Sequence, residues 1–246
     1  MEPFTLPRAE EKPEYVKRMF DRIAEGYDQA NDWMTGTRHR AWKQQLVAGL
    51  SIKPGDKVLD LATGTGDLAR LLSAAVGPEG HVTALDFSPG MLAQARALDP
   101  EPGRITWIEG DMQALPFESG RFDAVTVGFG LRNVADLDRA IAEIVRVLKP
   151  GGRFGSLEMG RPRLGVVRMG VSVFNAVVVP AIGKMVTGTG EPYRYLHASS
   201  EAFLAQDELA RRLAAAGLAE LSVQDVMFGT LAIVRGHRPV EPSSVD

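Results

Sequence analysis

Short apolar runs alternate with helical patterns of apolar residues between residues 57 and 159. The runs are rich in branched and aromatic residues, which predicts strands. Between the runs, apolar residues recur every three or four positions, as in Leu68, Leu71 and Leu72, which predicts helices. Strands that alternate with helices over short loops form parallel sheets. We therefore predict an α/β fold with a doubly wound parallel sheet, whose first five strands are 58–61, 81–86, 104–109, 122–127 and 153–159.

The segment before the first strand has a helical pattern. Residues 14–50 carry two apolar stripes, at 16–23 and 42–50. Between the stripes, residues 27–42 are unusually rich in aromatic and polar side chains for a plain connector. Two interpretations remain open, a packed helical cap or a lid over a ligand pocket. Residues 1–13 contain three prolines and mixed charges, which is typical of a loose arm.

The alternation of strands and helices ends at Gly160, and an apolar segment follows at 164–185. Four residues interrupt this segment: Arg168, Asn175, Pro180 and Lys184. These interruptions argue against a helix that spans a membrane. Two interpretations fit the segment, a helix packed on the sheet as part of the core or a helix that lies on a membrane surface.

The pattern in the last part of the chain predicts two further strands of the sheet, which follow a loop and a helix. A long loop that contains residues 193–197 precedes a helix at 200–216. Two strands then follow, 219–228 and 230–235, and Gly229 between them makes an antiparallel pair the expected arrangement. The residues after His237 have the composition of a disordered tail.

Composition excludes several classes of protein. The 246 residues include no cysteine, 45% are hydrophobic, 24% are charged, and the net charge is −3. These values are typical of a soluble globular protein and argue against a nucleic-acid-binding surface. Without cysteine there is no thiolate chemistry, and we expect no metal site. The first residues lack the pattern of a signal peptide, so we expect a cytoplasmic protein.

The first strand leads into a turn that is the clearest candidate for a binding site. Gly64 and Gly66 allow the chain to turn tightly and let a ligand approach the main chain. The free N–H groups at the start of the next helix face such a ligand. The spacing Gly64-x-Gly66-x-x-Ala69 also fits a dinucleotide-binding motif. A structural turn in which Asp67 caps the helix is the alternative without a ligand.

Two carboxylates beside this turn indicate which ligand it binds. Asp60 precedes the turn and Asp67 follows it. A pyrophosphate is repelled by nearby carboxylates, whereas the sulfonium and ammonium groups of S-adenosylmethionine (SAM) are attracted to them. We therefore expect SAM as the cofactor, with Gly64 and Gly66 among the residues that bind it.

Further candidates for cofactor binding follow the second and third strands. Asp86 lies twenty residues after Gly66, where a carboxylate can accept hydrogen bonds from ribose hydroxyls. Asp111 and Met112 follow the third strand, and ligands of open α/β sheets lie outside the carboxyl ends of strands. Asp111 is placed to accept from an adenine amino group while Met112 packs on the ring. A surface turn capped by Asp111 is the alternative.

Several motifs together resemble a known family. The turn at 60–67, Asp86, Asp111 and the LKPGG segment at 148–152 are similar to class I SAM-dependent methyltransferases. Two longer segments resemble the signatures of the ubiquinone/menaquinone biosynthesis C-methyltransferases, namely YDxxNxxMTxxxHxxW at 27–42 and RVLKPGGRFxxLE at 146–158. The similarity extends from about Val16 to Gly236, which is nearly the whole chain.

The resemblance implies both a fold and a reaction. The fold is a seven-stranded, mainly parallel sheet with an antiparallel last strand and an N-terminal helical lid. The reaction is SAM-dependent C-methylation of a demethylated prenyl quinol, in the first place demethylmenaquinol to menaquinol. The resemblance also implies that Thr65 contacts the cofactor, along with Asp86, Asp111 and Met112. It divides the chain into an arm and lid at 1–50, a methyltransferase domain at 51–238 with a substrate-side insertion at 160–199, and a disordered tail at 239–246.

The sequence departs from the family pattern at four positions. Ala30 replaces the usual methionine, Thr35 replaces a serine, and Gly160 replaces a serine after Glu158. Gly128 occupies a position where some members have a serine that contacts the cofactor, and glycine has no side chain to make this contact.

Two residues are candidates for catalysis. Carbon methylation requires that a hydroxyl of the quinol ring lose its proton, which makes the ring carbon nucleophilic. Arg132 can stabilise the phenolate as a fixed cation, and His39 can relay the proton. The alternatives are a salt bridge that holds a loop, for Arg132, and a packed histidine, for His39.

Other functions and partners remain open at this point. Methylation of another substrate, oxidation with NAD, and SAM binding without catalysis fit parts of the sequence. The expected partner is a prenylated quinol and not a nucleic acid. Because this substrate partitions into lipid, we expect peripheral contact with the inner face of the membrane through residues 164–185. The sequence is also compatible with a homo-oligomer.

Overall fold

Residues 4–240 are described here from a computed structural model. Seven strands form one sheet in the order β3-β2-β1-β4-β5-β7-β6. Strands β1 to β5 pair in parallel, and β7 lies antiparallel between β5 and β6. The doubly wound sheet and the antiparallel C-terminal pair are thus confirmed. The strands are β1 Lys57–Leu61, β2 His81–Asp86, β3 Ile105–Glu109, β4 Phe122–Gly128, β5 Leu148–Met159, β6 Ala219–Val226 and β7 Leu231–His237.

Helices cover both faces and the carboxyl edge of the parallel strands. A π-helical turn, Phe174–Val178, joins two of them into one continuous helix, and 3₁₀ turns lie at Ala24–Gly26, Leu131–Asn133 and Met227–Gly229. The helices are α1 Lys12–Ile23, α2 Tyr27–Thr35, α3 Arg38–Ala48, α4 Asp67–Val76, α5 Pro89–Ala97, α6 Leu137–Val147, α7 Gly165–Val173, α8 Val179–Thr187, α9 Glu191–Ala202 and α10 Gln206–Ala215.

The core has one large apolar cluster on each face of the sheet. On one face α6 and α10 pack on the strands, with Ile144 and Leu213 fully buried beside Phe154. On the other face α3 and α4 supply the fully buried Leu46 and Leu72. Burial of each such side chain contributes about 1.5–3 kcal/mol. The sheet is therefore a rigid base from which the loops at its carboxyl edge project.

Two predictions for the C-terminal third are wrong. Residues 193–197 belong to α9 and not to a long loop, and the helix expected at 200–216 is divided between α9 and α10. Pro192 lies in the first turn of α9, a position that proline favours, and Tyr193 and Tyr195 are buried. The chain becomes extended at Phe203, which is also buried, so α9 ends there.

The apolar segment after β5 forms a single exposed helix. Gly165–Thr187 has 23 residues, and its most apolar window of 18 residues has a mean hydropathy of 1.7, so by length and composition it could cross a membrane. Only 6% of its most apolar window is buried, and none of the residues of α7 is buried. The interpretation of this helix as part of the core is therefore wrong. It is attached through α8, where Gly183 packs so closely on Tyr193 that a Cβ would lie 1.9 Å from Cδ2 of the tyrosine.

Helices α1 and α2 and the first turn of α3 lie at the carboxyl edge of the sheet, while the rest of α3 packs on its face; we call α1 to α3 the lid helices. Asp21 of α1 accepts hydrogen bonds from Ser88 Oγ at 2.6 Å and Gly90 N at 2.9 Å. Lys43 of α3 pairs with Asp67 at 3.1 Å. These contacts attach the lid helices to the start of α5 and of α4. The disordered tail predicted from 239 lies mainly in 241–246, outside the described residues.

Candidate active site

The turn between β1 and α4 has an unusual backbone. Ala62, Gly64 and Gly66 have φ values of 51°, 57° and 86°. A Cβ on Gly66 would lie 2.5 Å from Trp107 Cη2, whereas a Cβ on Gly64 would have no described atom within 4 Å. Gly64 therefore borders space that a ligand can occupy, and Gly66 shapes the turn from behind, against Trp107.

Thr65, between the two glycines, joins the turn to the lid helices. Its hydroxyl donates to Asp28 Oδ1 of α2 at 2.7 Å, and the side chain is buried. This contact fixes the position of α2 above the turn. It also identifies Asp28 as a functional candidate that the sequence reasoning missed, although Asp28 stands in the segment at 27–42.

Asp86 closes the other side of the turn. Its Oδ2 accepts from Gly64 N at 2.7 Å, and its Oδ1 accepts from Ser88 N at 2.9 Å. Burial raises the pKa of Asp86 to about 6, although these N–H donors favour the ionised form. Each carboxylate oxygen keeps a free lone pair, so Asp86 can still accept hydrogen bonds from a ligand.

Asp111 and Met112 lie beside Asp86 at the end of β3. The Asp111 carboxylate accepts from Gln113, at 2.8 Å from the backbone N and at 3.0 Å from Nε2 to Oδ2. Met112 is buried against the sheet. Gln113 thus holds the carboxylate in place, and Met112 offers an apolar surface next to it.

Four of the predicted cofactor residues line one cavity of about 90 Å³, together with Leu85 and Phe87: Gly64, Asp86, Asp111 and Met112. Thr65 instead faces a second, larger cavity, and Gly66 borders neither. Tyr27, Gly64 and Phe129 contribute to both cavities, so the two adjoin at the turn. An elongated ligand that lies across Gly64 would reach from one to the other.

The chemistry of these residues fits SAM. Carboxylates at Asp86 and Asp111 suit hydroxyl and amino donors, and Met112 and Phe87 suit a planar ring. Asp60 lines the larger cavity and is fully buried, where it accepts from Thr63 and Thr126 hydroxyls at 2.6 Å. Burial raises the pKa of Asp60 to about 6, so it is ionised at neutral pH and attracts a cation.

The other acid beside the turn contributes less than its position in the sequence suggests. Asp67 pairs with Lys43 at 3.1 Å and with Arg70 at 2.6 Å. These cations balance its charge, and they hold the pKa of this carboxyl below its usual value. The attraction of a cationic ligand is therefore due to Asp60, Asp86 and Asp111. Gly128 stands where some family members have a serine. A Cβ added to Gly128 would lie 3.6 Å from Leu68 Cδ2, so a serine would fit there.

The larger cavity has a volume of about 530 Å³, within the range of small-molecule sites. Lid helices, the loop after β4, and α7 to α9 surround it. The two candidate catalytic residues, Arg132 and His39, both line it. Arg38, Lys43 and Asp60 also border it, near the lid and the turn. Most of the remaining wall is apolar and includes Ile23, Met34, Trp42, Phe174, Val179 and Leu196.

Arg132 lies in the 3₁₀ turn after β4 and is buried. Its Nη1 donates to Phe129 O at 2.8 Å and lies 3.4 Å from Glu158 Oε2. Nε has no hydrogen-bond partner within residues 4–240. The salt bridge considered for Arg132 therefore exists, but it engages one edge of the guanidinium and leaves donors for a ligand in the cavity.

Glu158, at the end of β5, is the acid that holds this loop. Its Oε1 accepts from Leu131 N at 2.7 Å. Burial raises the pKa of Glu158 to about 7, against the influence of Arg132. Lys12 of α1 ties the same loop from outside, through Nζ to Arg132 O at 2.9 Å and to Val134 O at 2.8 Å. The backbone around Arg132 is thus fixed from two sides.

His39 lies in the first turn of α3 and is buried. Its Nε2 lies 2.8 Å from Asp32 Oδ1, and Asp32 Oδ2 accepts from Arg40 at 2.7 Å. Because an ionised carboxylate only accepts, Nε2 carries a proton, and Nδ1 has no partner in the described chain. Asp32, which the sequence reasoning passed over, orients the ring.

Within residues 4–240, no group of three or more His, Asp or Glu side chains is arranged to hold a metal ion. The site therefore consists of an acidic cavity beside a glycine turn, and a larger apolar cavity that contains one buried arginine and one buried histidine. The cofactor contacts of the six predicted residues stay a prediction, as do the roles of Arg132 and His39.

This fold and site define a class I SAM-dependent methyltransferase. Solved structures share the fold: a SAM-dependent methyltransferase of Aquifex aeolicus has a TM-score of 0.61 at 18% identity, and covers 85% of this chain and 96% of its own. The cyclase SpnF has a TM-score of 0.69 at 19% identity, and covers 97% and 100%. At these identities the likeness concerns the fold alone.

The chain belongs to the ubiE/COQ5 methyltransferase family, whose model matches residues 8–238. The demethylmenaquinone methyltransferase of Symbiobacterium thermophilum is 41% identical over 240 residues, which cover 94% of this chain and 96% of that protein. The ubiquinone/menaquinone biosynthesis C-methyltransferase UbiE of Pseudomonas aeruginosa PAO1 is 37% identical and covers 93% and 91%. The family resemblance is confirmed, and the protein is a SAM-dependent methyltransferase.

Proposed function

We propose that this enzyme transfers a methyl group from SAM to a ring carbon of a demethylated prenyl quinol, with demethylmenaquinol as the preferred substrate. The names of relatives that are 36–41% identical over nine-tenths of the chain support this substrate class. The observation that carries the proposal is the apolar cavity of about 530 Å³, which joins the cofactor turn and contains Arg132. Its wall suits a large hydrophobic ring system.

SAM, when bound, supplies an electrophilic methyl group, so the protein mainly aligns the reactants and excludes water. Asp86 and Asp111 bind hydroxyl and amino groups of the cofactor, and Asp60 attracts its positive charge. On the substrate side, Arg132 binds the phenolate oxygen and stabilises its negative charge through a buried guanidinium. That charge makes the neighbouring ring carbon nucleophilic.

His39 is proposed as the residue that accepts the hydroxyl proton. Asp32 holds the ring through Nε2–H, which leaves the lone pair of Nδ1 as the acceptor. A phenolic hydroxyl has a pKa near ~10, so at neutral pH a base raises the amount of phenolate. After the new carbon–carbon bond forms, the ring carbon releases its proton to solvent and the ring oxygen takes back the proton held by His39, so one proton is released for each methyl group transferred.

We also propose a location for the reaction. A polyprenyl tail partitions into lipid, since each buried CH₂ favours lipid by about 0.8 kcal/mol. The enzyme therefore works in the cytoplasm and meets its substrate at the inner face of the membrane. The lid helices and the segment 160–199 form the substrate side of the enzyme, and residues 51–159 bind the cofactor.

The reaction itself is tested with purified protein, SAM labelled in the methyl group, and chemically reduced demethylmenaquinol under anaerobic conditions. We expect labelled menaquinol, with the methyl group on the ring carbon. Demethylated benzoquinol and a catechol serve as comparison substrates. An O-methylated product, or equal rates with an unrelated phenol, would contradict the proposal and favour a methyltransferase of other specificity.

Replacement of His39 by glutamine is expected to lower kcat by about 10²-fold at neutral pH, because a general base contributes about that much. SAM affinity should stay unchanged. The deficit should shrink as pH rises towards ~10, because the substrate hydroxyl then ionises without a base. Asp32→Asn, which disturbs only the orientation of the ring, should give a smaller loss of the same form. A deficit that is constant over pH would indicate that His39 only packs.

A further inference from the structure

The exposed helix Gly165–Thr187 presents large apolar residues to solvent. Val166 is 73% exposed and Met169 is 67% exposed, and Leu164, Val173 and Val177 are also more than half exposed. The helix is about 34 Å long at 1.5 Å per residue. A contiguous apolar surface of this size marks an interaction site.

A second apolar feature lies beside the start of this helix. Met227 and Phe228 form the corner between β6 and β7, with φ values of 46° and 58°. Phe228 is 81% exposed, although a bulky residue in this conformation is strained. A Cβ on the next residue, Gly229, would lie 3.3 Å from Pro162 Cα, so the corner adjoins the segment that leads into α7. We call the helix and this corner together the apolar docking face.

The larger cavity reaches the surface at this face. Phe174 of the helix and Met227 of the corner both line the cavity, and they are 39% and 42% exposed. Both apolar features therefore border the cavity, and we take its mouth to lie between them. A flexible hydrophobic chain attached to a ring in the cavity would leave the protein there.

The charge of the face differs from that of the whole chain. Between residues 160 and 190 there are four basic residues and no aspartate or glutamate, while the chain carries a net charge of −3. Arg163 pairs with Asp207 and Asp225, and Arg168 and Lys184 are exposed on the helix. A face with apolar side chains and unbalanced cations matches an anionic lipid surface.

We propose that the apolar docking face binds the surface of an anionic lipid bilayer, with the helix parallel to the membrane plane and the cavity mouth against the acyl chains. The corner residues Met227 and Phe228 insert beside it. The path of a prenyl tail into the cavity rests on the proposed function, but the docking face itself does not.

Two observations favour this arrangement over others. The helix cannot leave the protein to span a bilayer without loss of the contacts of Val179 and Gly183, which are buried beneath Tyr193 and the lid helices. A symmetric contact with a second copy would bring Arg168 and Lys184 against the same cations, because such an interface pairs each patch with itself. The bilayer is therefore the occupant that fits both shape and charge.

The test is sedimentation of the full chain with vesicles of equal parts phosphatidylglycerol and phosphatidylcholine at low ionic strength. Arg168→Glu with Lys184→Glu is expected to reduce binding by about tenfold or more. The matched control is Lys53→Glu with Lys57→Glu, which changes the net charge equally at the amino end of β1, where both lysines are exposed. This control should bind within about twofold of the wild type.

The apolar part of the face is tested by Phe228→Ser. This change should weaken vesicle binding even at high salt, because the lost contribution is not electrostatic. Leu98→Ser is the matched control, since Leu98 is 48% exposed near β3 at the opposite edge of the sheet. Unlike Met227, Phe228 lines neither cavity, so methylation of a short-chain quinol in solution by the Phe228→Ser protein should stay at the wild-type rate.

Three outcomes would overturn the proposal: no binding of the wild type to anionic vesicles, equal losses in the matched controls, or a dimer in sedimentation velocity that Phe228→Ser converts to monomer without change in vesicle binding. Vesicle binding by a protein that methylates no quinol would contradict the proposed function and leave the docking face intact. Quinol methylation without vesicle binding would support the proposed function and contradict the docking face.

Discussion

Arg132→Ala should lower kcat by about 10²- to 10³-fold, the usual effect of removing one charge-stabilising donor from a buried site. The guanidinium is buried in the apolar cavity, and only one edge of it is engaged by Phe129 O and Glu158. In such an environment no water replaces it as a partner of the phenolate. SAM affinity, measured by titration calorimetry, should change by less than about threefold, because Arg132 lies outside the smaller cavity.

Removal of Arg132 also leaves Glu158 without its cation. The pKa of this carboxyl should then rise further above 7, and the neutral acid avoids a buried unpaired charge. Arg132→Lys is the conservative variant, which keeps the charge but not the planar donor geometry, so an intermediate loss is expected. Glu158→Gln in combination with Arg132→Ala separates a folding defect from a catalytic one. Labelled product at the wild-type rate from a folded Arg132→Ala protein would remove Arg132 from the mechanism.

The sheet and the cofactor turn could be predicted because their signals are local. The start of α5 is an example of a local signal: Ser88 Oγ accepts from Met91 N at 3.0 Å and Pro89 is the first residue of the helix, which is the usual chemistry of a helix start. The bounds of β2 were predicted without error, since His81–Asp86 is a continuous buried run that ends in an acid. Asp86 then lies beside Gly64, as its distance along the chain suggested.

Features that depend on distant contacts could not be predicted in the same way. The segment at 193–197 contains two tyrosines and a histidine and reads as polar, but Tyr193 packs on Gly183 and Tyr195 packs on Tyr15. The Thr65–Asp28 contact joins residues 37 positions apart. The proximity of Glu158 to Arg132 could have been predicted in part. The neighbouring strands β4 and β5 are parallel, and the two residues lie near their carboxyl ends.

The exposed helix shows a different limit. Its polar interruptions argue against a membrane span, but a core helix and a surface helix both stay open, because periodicity alone does not tell these two apart. Its place in the fold decides against the core: α7 contains no buried residue, and α8 is attached through Val179 and Gly183. The apolar corner at Phe228 had no sequence signal, since Gly229 indicated only a turn. Its conformation and exposure are visible only in the structure.

Asp86→Ala is expected to weaken SAM binding by about 10- to 150-fold, which corresponds to the loss of hydrogen bonds to a charged acceptor, about 1.5–3 kcal/mol. Asp86→Asn should lose less, because one acceptor oxygen remains. Asp86→Ala also loses the acceptor of both Gly64 N and Ser88 N, and Asp86→Asn keeps an acceptor for only one of them, so the folding of both variants should be checked by thermal unfolding. Glu109→Gln is a useful control, since Glu109 ends the adjacent strand β3 and does not itself line the smaller cavity, although its partner Lys17 does. Unchanged affinity in a folded Asp86→Ala protein would contradict the cofactor assignment.

The raised pKa of Asp86 adds a dependence on pH. Its value in the free protein is about 6 because the carboxyl is buried, and ribose hydroxyls favour the ionised form, so binding should lower this pKa and release a proton. SAM affinity should therefore be constant above about pH 7 and fall as the pH drops through 6. Asp60 has a pKa raised to a similar value and faces the larger cavity. Measurements of SAM affinity between pH 5 and pH 8 with the Asp86→Asn and Asp60→Asn variants show which of the two carboxyls causes the pH dependence. If Asp86→Asn keeps the wild-type profile while Asp60→Asn becomes flat, the titrating group is Asp60, and the proton linkage assigned to Asp86 is wrong.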